Sequence, residues 1–322
     1  MGILPIAFFL YFSMRIWSVI VLWALLLLAG CGGSSSSNNS NGGSGPVNAV
    51  PQVQHVAIVV LENASYHDVI GSASMPYFNQ LASQWSSLAS YYATAHPSIP
   101  NYFMLTAGNT VTFDDGFSGT VSDDNLVRET LASGLTWKAY EESLPTQGYV
   151  GGNRGLYIER HDPLSYFSDV RNSTTQSANI VPFAELSADM SSGNLPNLIW
   201  ITPNAVDNAH SCPTSNPACT LQQRLANADA WLKANVAPLL ADSNFSQSGL
   251  LIVLFDEGED IDLDHGGGHV AAVYAGTHVR QGYSSTATYS HQDTLSLIGK
   301  ALRLQQIPGL GASGGSMTEF FQ

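Results

Sequence analysis

One segment limits the fold more than any other. Val53–Asn63 reads VQHVAIVVLEN, an apolar, largely β-branched run that stops abruptly at Glu62-Asn63. A strand apolar on both faces must be covered on both faces, which is the situation of a parallel strand inside an α/β sheet. A second run of the same kind, GLLIVLFDEGED, stops at Asp256-Glu257. Further strands are expected in SLASYYAT, LTWKAYEE, NLIWIT (Asn197–Thr202) and HVAAVYAG. Helices are expected in MPYFNQLASQW, in SIPNYFMLTAG with Pro100 in its first turn, and in HQDTLSLIGKAL. Between Leu221 and Leu240, apolar residues at Leu221, Leu225, Ala228, Leu232, Val236 and Leu239 keep a helical period. Strands alternating with helices predict a three-layer α/β/α sandwich with a mostly parallel central sheet. In such sheets ligands bind at the carboxyl ends of the strands.

Composition narrows the function. Of 322 residues, 11 are Lys or Arg and 25 are Asp or Glu, so no basic face is available for a nucleic-acid scaffold. The first fifty residues read as targeting and tether. Arg15, the apolar run IWSVIVLWALLLL and then Leu28-Ala29-Gly30-Cys31 have the layout of a bacterial lipoprotein signal, with Cys31 as the lipidated residue. A plain membrane anchor starting from Ile3 is the alternative, and Met14 is a second candidate start. GGSSSSNNSNGGSGPVN then has nothing to bury and reads as a flexible linker. The expected organisation is a leader at 1–30, a linker at 31–52 and one catalytic domain at 53–322, placed outside the cytoplasm on a membrane-anchored lipid. Cys212 and Cys219, in HSCPTSNPACT, are then able to close a short disulfide loop.

Several strands end in chemistry. Glu62 and Asn63 follow the first, Asp207 and His210 follow NLIWIT, and Asp256 and Glu257 follow LLIVLF. His265 and His269 come shortly after, and His291 opens the last helix. Carboxylates with imidazoles suit a divalent ion such as Mg, Mn, Ca or Zn. Ser98 lies between Pro97 and Pro100 at the start of a predicted helix, where free N–H groups and the positive dipole end favour an anion such as phosphate. A metal beside it turns a helix cap into a nucleophile. Asn101 is placed to donate to a phosphate oxygen.

In order along the chain, VVLENASYHDVIGSASMPYFNQLA, TAHPSIPNYFMLTAG, LTWKAYEES, YIERHDPLSYF, ITPNAVDNAH, VLFDEGED and GGGHVAAVYAG make this sequence resemble the bacterial phosphoesterase family. That family includes acid phosphatases and phosphatidylcholine-type phospholipases C, and belongs to the alkaline phosphatase superfamily. The resemblance covers about Val53 to Leu302. It implies an alkaline-phosphatase-like fold and a phosphoserine mechanism on a small phosphate ester. It implies Ser98 as nucleophile and Glu62, Asp256 and Glu257 as metal ligands, with Asn63 as ligand or phosphate contact. It implies Asn101 as a phosphate contact, Asp207, His210 and His269 as ligands of one metal or two, and His161 and His291 as phosphate-binding or proton-donating groups. Sulfatases of the superfamily carry Arg where this chain has Tyr102, which argues against that activity. Two alternatives stand beside the phosphatase: a phospholipase C, and an inactive surface protein that keeps the fold.

Overall fold

The computed structural model describes residues 49–322. The leader, Cys31 and the linker as far as residue 48 lie outside the described residues. Among the described residues, no helix is long and apolar enough to cross a membrane. Packing begins slightly earlier than Val53, because Val50 is already buried and its carbonyl accepts from Arg303 Nη2 at 2.9 Å.

The strands are β1 (His55–Leu61), β2 (Ser86–Tyr92), β3 (Trp137–Glu141), β4 (Ile180–Pro182), β5 (Leu198–Thr202), β6 (Gly249–Phe255), β7 (His269–Gly276), β8 (Tyr283–Ser285) and β9 (Tyr289–Ser290). They form one sheet in the order β4-β3-β5-β1-β6-β7-β2-β8, with β9 beside β2. β7 alone runs antiparallel, against both β6 and β2. β1 and β6, the two apolar runs, are buried at every residue and pair in parallel from His55↔Gly249 to Leu61↔Phe255.

The helices are α1 (Tyr66–Val69), α2 (Pro76–Gln84), α3 (Ser98–Ala107), α4 (Leu126–Ala132), α5 (Ser168–Arg171), α6 (Thr174–Ser177), α7 (Glu185–Ser192), α8 (Leu221–Ala241), α9 (Ser243–Ser248) and α10 (His291–Leu302). They fall into two groups. α10 packs on α3 and β1, whereas α8 packs on α2 and α9, which in turn lie on β2, β7 and β6. The chain is thus the α/β sandwich its alternating pattern predicts. The short β4, β8 and β9 carry too few residues to show a period, and the sequence reading does not contain them.

α8 starts on a capping box: Thr220 Oγ1 accepts from Gln223 N–H, and the Gln223 side chain accepts from Thr220 N–H at 2.9 Å. This fixes where the chain leaves the loop 203–220, which hangs from the carboxyl end of β5. That end, with the ends of β1 and β6, is where the polar residues gather.

Candidate active site

The register of β1 on β6 decides the first half of the site. Leu61 pairs with Phe255, so Glu62 and Asp256 leave adjacent strands side by side, both fully buried. Asn63 turns the chain with φ 50° and donates its N–H to Asp256 Oδ1 at 3.1 Å. Ser98 is the first residue of α3 and is 1% exposed. Its Oγ lies 2.8 Å from Glu257 Oε1, 3.1 Å from Glu62 Oε2 and 3.5 Å from Asn63 Oδ1. A hydroxyl has one proton to donate, yet three acceptor oxygens surround this one. Asp256 Oδ2 is buried with no partner at all. Burial, then the charges of Glu62 and Glu257, push the Asp256 carboxyl far above its ordinary range. Burial likewise raises Glu257 to about 7. Among the described residues, no Lys or Arg contacts either carboxylate.

The second half is built of imidazoles. Burial alone would raise Glu62, but His161, His210, Arg160 and the Tyr102 hydroxyl together hold it below the usual range. Tyr102 donates to Glu62 Oε1. His161 Nε2 lies 3.1 Å from the same oxygen, off the line of a good hydrogen bond, so that N–H stays available. Its Nδ1 accepts from Asn208 Nδ2 at 3.0 Å, and its ring stacks on Tyr102. Burial drives the His161 pKa down to about 3, so the ring is neutral. His210 Nε2 accepts from Arg160 Nη2 at 2.9 Å, which leaves its Nδ1–H for Ser211 Oγ at 2.8 Å. Ala209, with φ 77°, bends the chain between Asn208 and His210. Glu62, His161 and His210 each place one donor atom within 4.8 Å of the others.

Not every residue expected at the site takes part in it. Asn101 has no free hydrogen-bonding group to offer a phosphate. Its Oδ1 accepts from Thr94 and Ala95 N–H at 2.9 and 3.2 Å, and its Nδ2 donates to the Ala95 and Pro97 carbonyls at 2.7 and 3.3 Å. It staples the loop that presents Ser98. Asp207 accepts from Asn204 Nδ2 at 2.8 Å and touches neither Glu62 nor Ser98. His269 is held between the Tyr66 and Tyr92 rings, at 4.3 and 4.9 Å, with Nε2 on the Ala89 carbonyl. Metal ligation by Asp207 or His269 therefore has no geometric support. His291 is fully buried behind β6, its Nε2 3.3 Å from the Phe255 carbonyl, where it supports the backbone that carries Asp256. Cys212 and Cys219 are bonded, with their Cα atoms 5.6 Å apart.

Other residues join the site without having been assigned a role from the sequence. His96 Nδ1 meets Glu257 Oε2 at 2.5 Å, and its Nε2 donates to the Asp262 carbonyl at 2.8 Å. Tyr102 reaches back one helical turn to Glu62. Arg160 links His210 to Asp115. The only signal for His96 and Tyr102 was their proximity to Ser98 in one short stretch.

Three buried carboxylates close to one hydroxyl can be ionised together only with positive charge among them. The orphaned Asp256 oxygen and the oxygen-rich donor set of Glu62, Asn63, Asp256 and Glu257 fit a hard divalent cation.

A buried serine at a helix start thus stands beside carboxylates at the ends of parallel strands of an α/β sheet. Residues 72–305 match the model of the phosphoesterase family, and the chain belongs to that family. It is 33% identical over 271 residues to a phosphatidylinositol-3-phosphatase of Mycobacterium tuberculosis, covering 83% of this chain and 81% of that one. It is 29% identical to a probable acid phosphatase of Kluyveromyces lactis, covering 80% of this chain and 59% of the longer yeast protein. Its fold matches a Vibrio parahaemolyticus protein of the alkaline phosphatase superfamily, with TM-score 0.54, 13% identity, and 79% and 68% of the two chains covered.

Proposed function

We propose that this chain is a metal-dependent phosphatase that works through a phosphoserine at Ser98, with phosphate monoesters as its preferred substrates. The observation that carries the reading is the Ser98 hydroxyl, at the start of α3 and faced by three acceptor oxygens. The names of the mycobacterial and yeast relatives support monoesters over phosphocholine lipids.

A divalent cation held by Glu62, Asn63, Asp256 and Glu257 would lower the pKa of the serine and neutralise charge on the phosphate oxygens. The chain supplies the rest. Glu257 Oε1, 2.8 Å away, accepts the Ser98 hydroxyl hydrogen bond and aims Oγ, and the serine proton is lost to solvent. Oγ forms its bond to phosphorus as the P–O bond to the alcohol breaks, and the departing oxygen takes up a proton from solvent. Being neutral, His161 acts as a hydrogen-bond donor through Nε2–H to a phosphate oxygen rather than as an acid. Water then attacks phosphorus, the Oγ–P bond breaks, and Oγ regains a proton as inorganic phosphate leaves. His96 holds Glu257 by its other oxygen throughout.

The N-terminal sequence supports delivery of this domain to the extracytoplasmic face on a lipid attached at Cys31. The enzymatic reading is tested by acid-quenching the protein with p-nitrophenyl phosphate and digesting it. A phosphopeptide containing Ser98 is expected. Turnover with phosphate on another residue, or with none, would overturn the assignment.

A further inference from the structure

A carboxylate already sits where a phosphate would be expected to bind. Asp115, in the segment 108–125 between α3 and α4, accepts the Ile99 N–H through Oδ1 at 3.2 Å. Ile99 directly follows the serine, and its N–H is one of the free donors at the start of the ten-residue α3. The other Asp115 oxygen, Oδ2, lies 3.4 Å from Arg160 Nε. That nitrogen is buried and makes no well-directed hydrogen bond. Arg160 is otherwise pinned by His210 at 2.9 Å, with its side chain 13% exposed, while Asp115 is 34% exposed. A rigid donor pair thus faces a carboxylate on an exposed loop, in which neighbouring Phe113 is 60% exposed.

We propose that Asp115 is a placeholder for substrate: the Ile99 N–H and Arg160 form an anion seat that phosphate takes by displacing the Asp115 carboxylate. Two oxygens on one carbon span the two donors much as two oxygens on one phosphorus do, and the guanidinium fork suits either. Without an anion, the seat would leave a helix N–H unsatisfied and a largely buried guanidinium without its counter-charge. Arg160 is also the one permanent cation acting on Glu62, so it offsets the negative charge that otherwise repels phosphate. Arg160 and Ile99 then act as binding groups, and Asp115 lowers apparent affinity by the fraction of time it occupies the seat.

The inference rests on the phosphatase reading, and its test separates the two. Inorganic phosphate is titrated calorimetrically into the Mn-loaded wild type, Asp115→Ala, Asp115→Asn and Arg160→Gln. Asp115→Asn keeps the side-chain shape and removes the charge, which guards against a fold artefact. Both Asp115 variants should bind phosphate at least about threefold more tightly, and Arg160→Gln about tenfold more weakly. For p-nitrophenyl phosphate hydrolysis, KM and the phosphate inhibition constant should fall together in the Asp115 variants. Weaker or unchanged phosphate binding in both Asp115 variants would overturn the placeholder and make Asp115 a residue that positions Arg160. Because the calorimetry needs no turnover, it decides the placeholder even if the wild type hydrolyses no ester, a result that would sink the phosphatase reading instead.

Discussion

The two halves of the site share Glu62 and differ in charge balance. On the Ser98 side, Asp256 and Glu257 are buried carboxyls with no Lys or Arg among the described residues in contact, and burial pushes both pKa values upward. On the far side, His161, His210, Arg160 and Tyr102 surround the other Glu62 oxygen, and Glu62 is held down. One half is electrostatically incomplete by itself and the other is nearly self-sufficient. The difference bears on where an added cation is most needed: among the carboxylates around Ser98, since of the imidazole nitrogens only His161 Nε2 lacks a protein partner among the described residues, the others being held by Asn208, Arg160 and Ser211.

Five experiments sharpen or break that contrast. Ser98→Ala should cost at least about a thousandfold in kcat while leaving folding intact. More than a tenth of wild-type activity would break the contrast at its centre.

Asp256→Asn should cost about a hundredfold or more in kcat/KM and most of the metal affinity. In chelator-treated protein at pH 8 the same change should stabilise, by about 1–3 kcal/mol, because it removes a buried carboxyl that the metal-free fold must either keep protonated or hold charged without a partner. If the metal-free variant melts below metal-free wild type, the carboxylate half is not starved of charge as argued.

His161→Gln should lower kcat about ten- to a hundredfold and leave metal content, read by elemental analysis, unchanged. Loss of metal comparable to that in Asp256→Asn would show that the imidazole half also holds an ion.

The fourth test uses a buried acid next to His161. Burial raises Asp162 to about 7 from 3.8. The folded protein therefore keeps this proton between those values, while the unfolded chain has lost it. Its contribution to stability is complete below 3.8 and disappears as pH rises through 7. Asp162→Asn lacks this dependence. Between pH 4 and 8, unfolding measurements should shift in the variant's favour by about 4 kcal/mol at most. A difference that does not change with pH would mean that Asp162 is ionised in the fold.

The smallest effect is expected from the Cys212–Cys219 bond. Replacing both by Ser opens a loop with a sequence separation of seven, worth about 2–3 kcal/mol by the chain-entropy model. The loop hangs from His210, so kcat should fall with stability. A drop in stability with unchanged kinetics would detach the loop from the site.

The carboxylate half was largely legible along the chain, and the imidazole half only in part. Glu62, Asp256 and Glu257 stand where apolar runs stop, and a run buried on both faces announces its strand and its end without reference to any other segment. Ser98 is marked in the same local way, by prolines on either side and a helical period after it. His210 and His161 were singled out, but Arg160, Asp115 and His96 were given no role. Asp207 and His269 were expected to be ligands because the family resemblance implies ligands at those positions. Asn101 was expected to face phosphate because it follows the serine by one turn.

The sequence by itself determined the alternation of apolar strands and helices, and with it the class of sheet and the edge where ligands gather. Hydrophobic period and its interruption are properties of neighbours in the chain. Only the tertiary structure decided which side chains meet there. The order β3-β5-β1-β6 carries the 203–220 loop and the His161 turn to the same Glu62. The backbone carbonyls and N–H groups nearby then claim Asn101 and His269 before any ligand does. The His269 claim joins residues 180 positions apart, whereas Asn101 is claimed by backbone groups within seven residues of it, through a loop geometry that only the fold sets. A side chain's type is written in the sequence, but its partner is set by the register of strands that meet only in the folded chain.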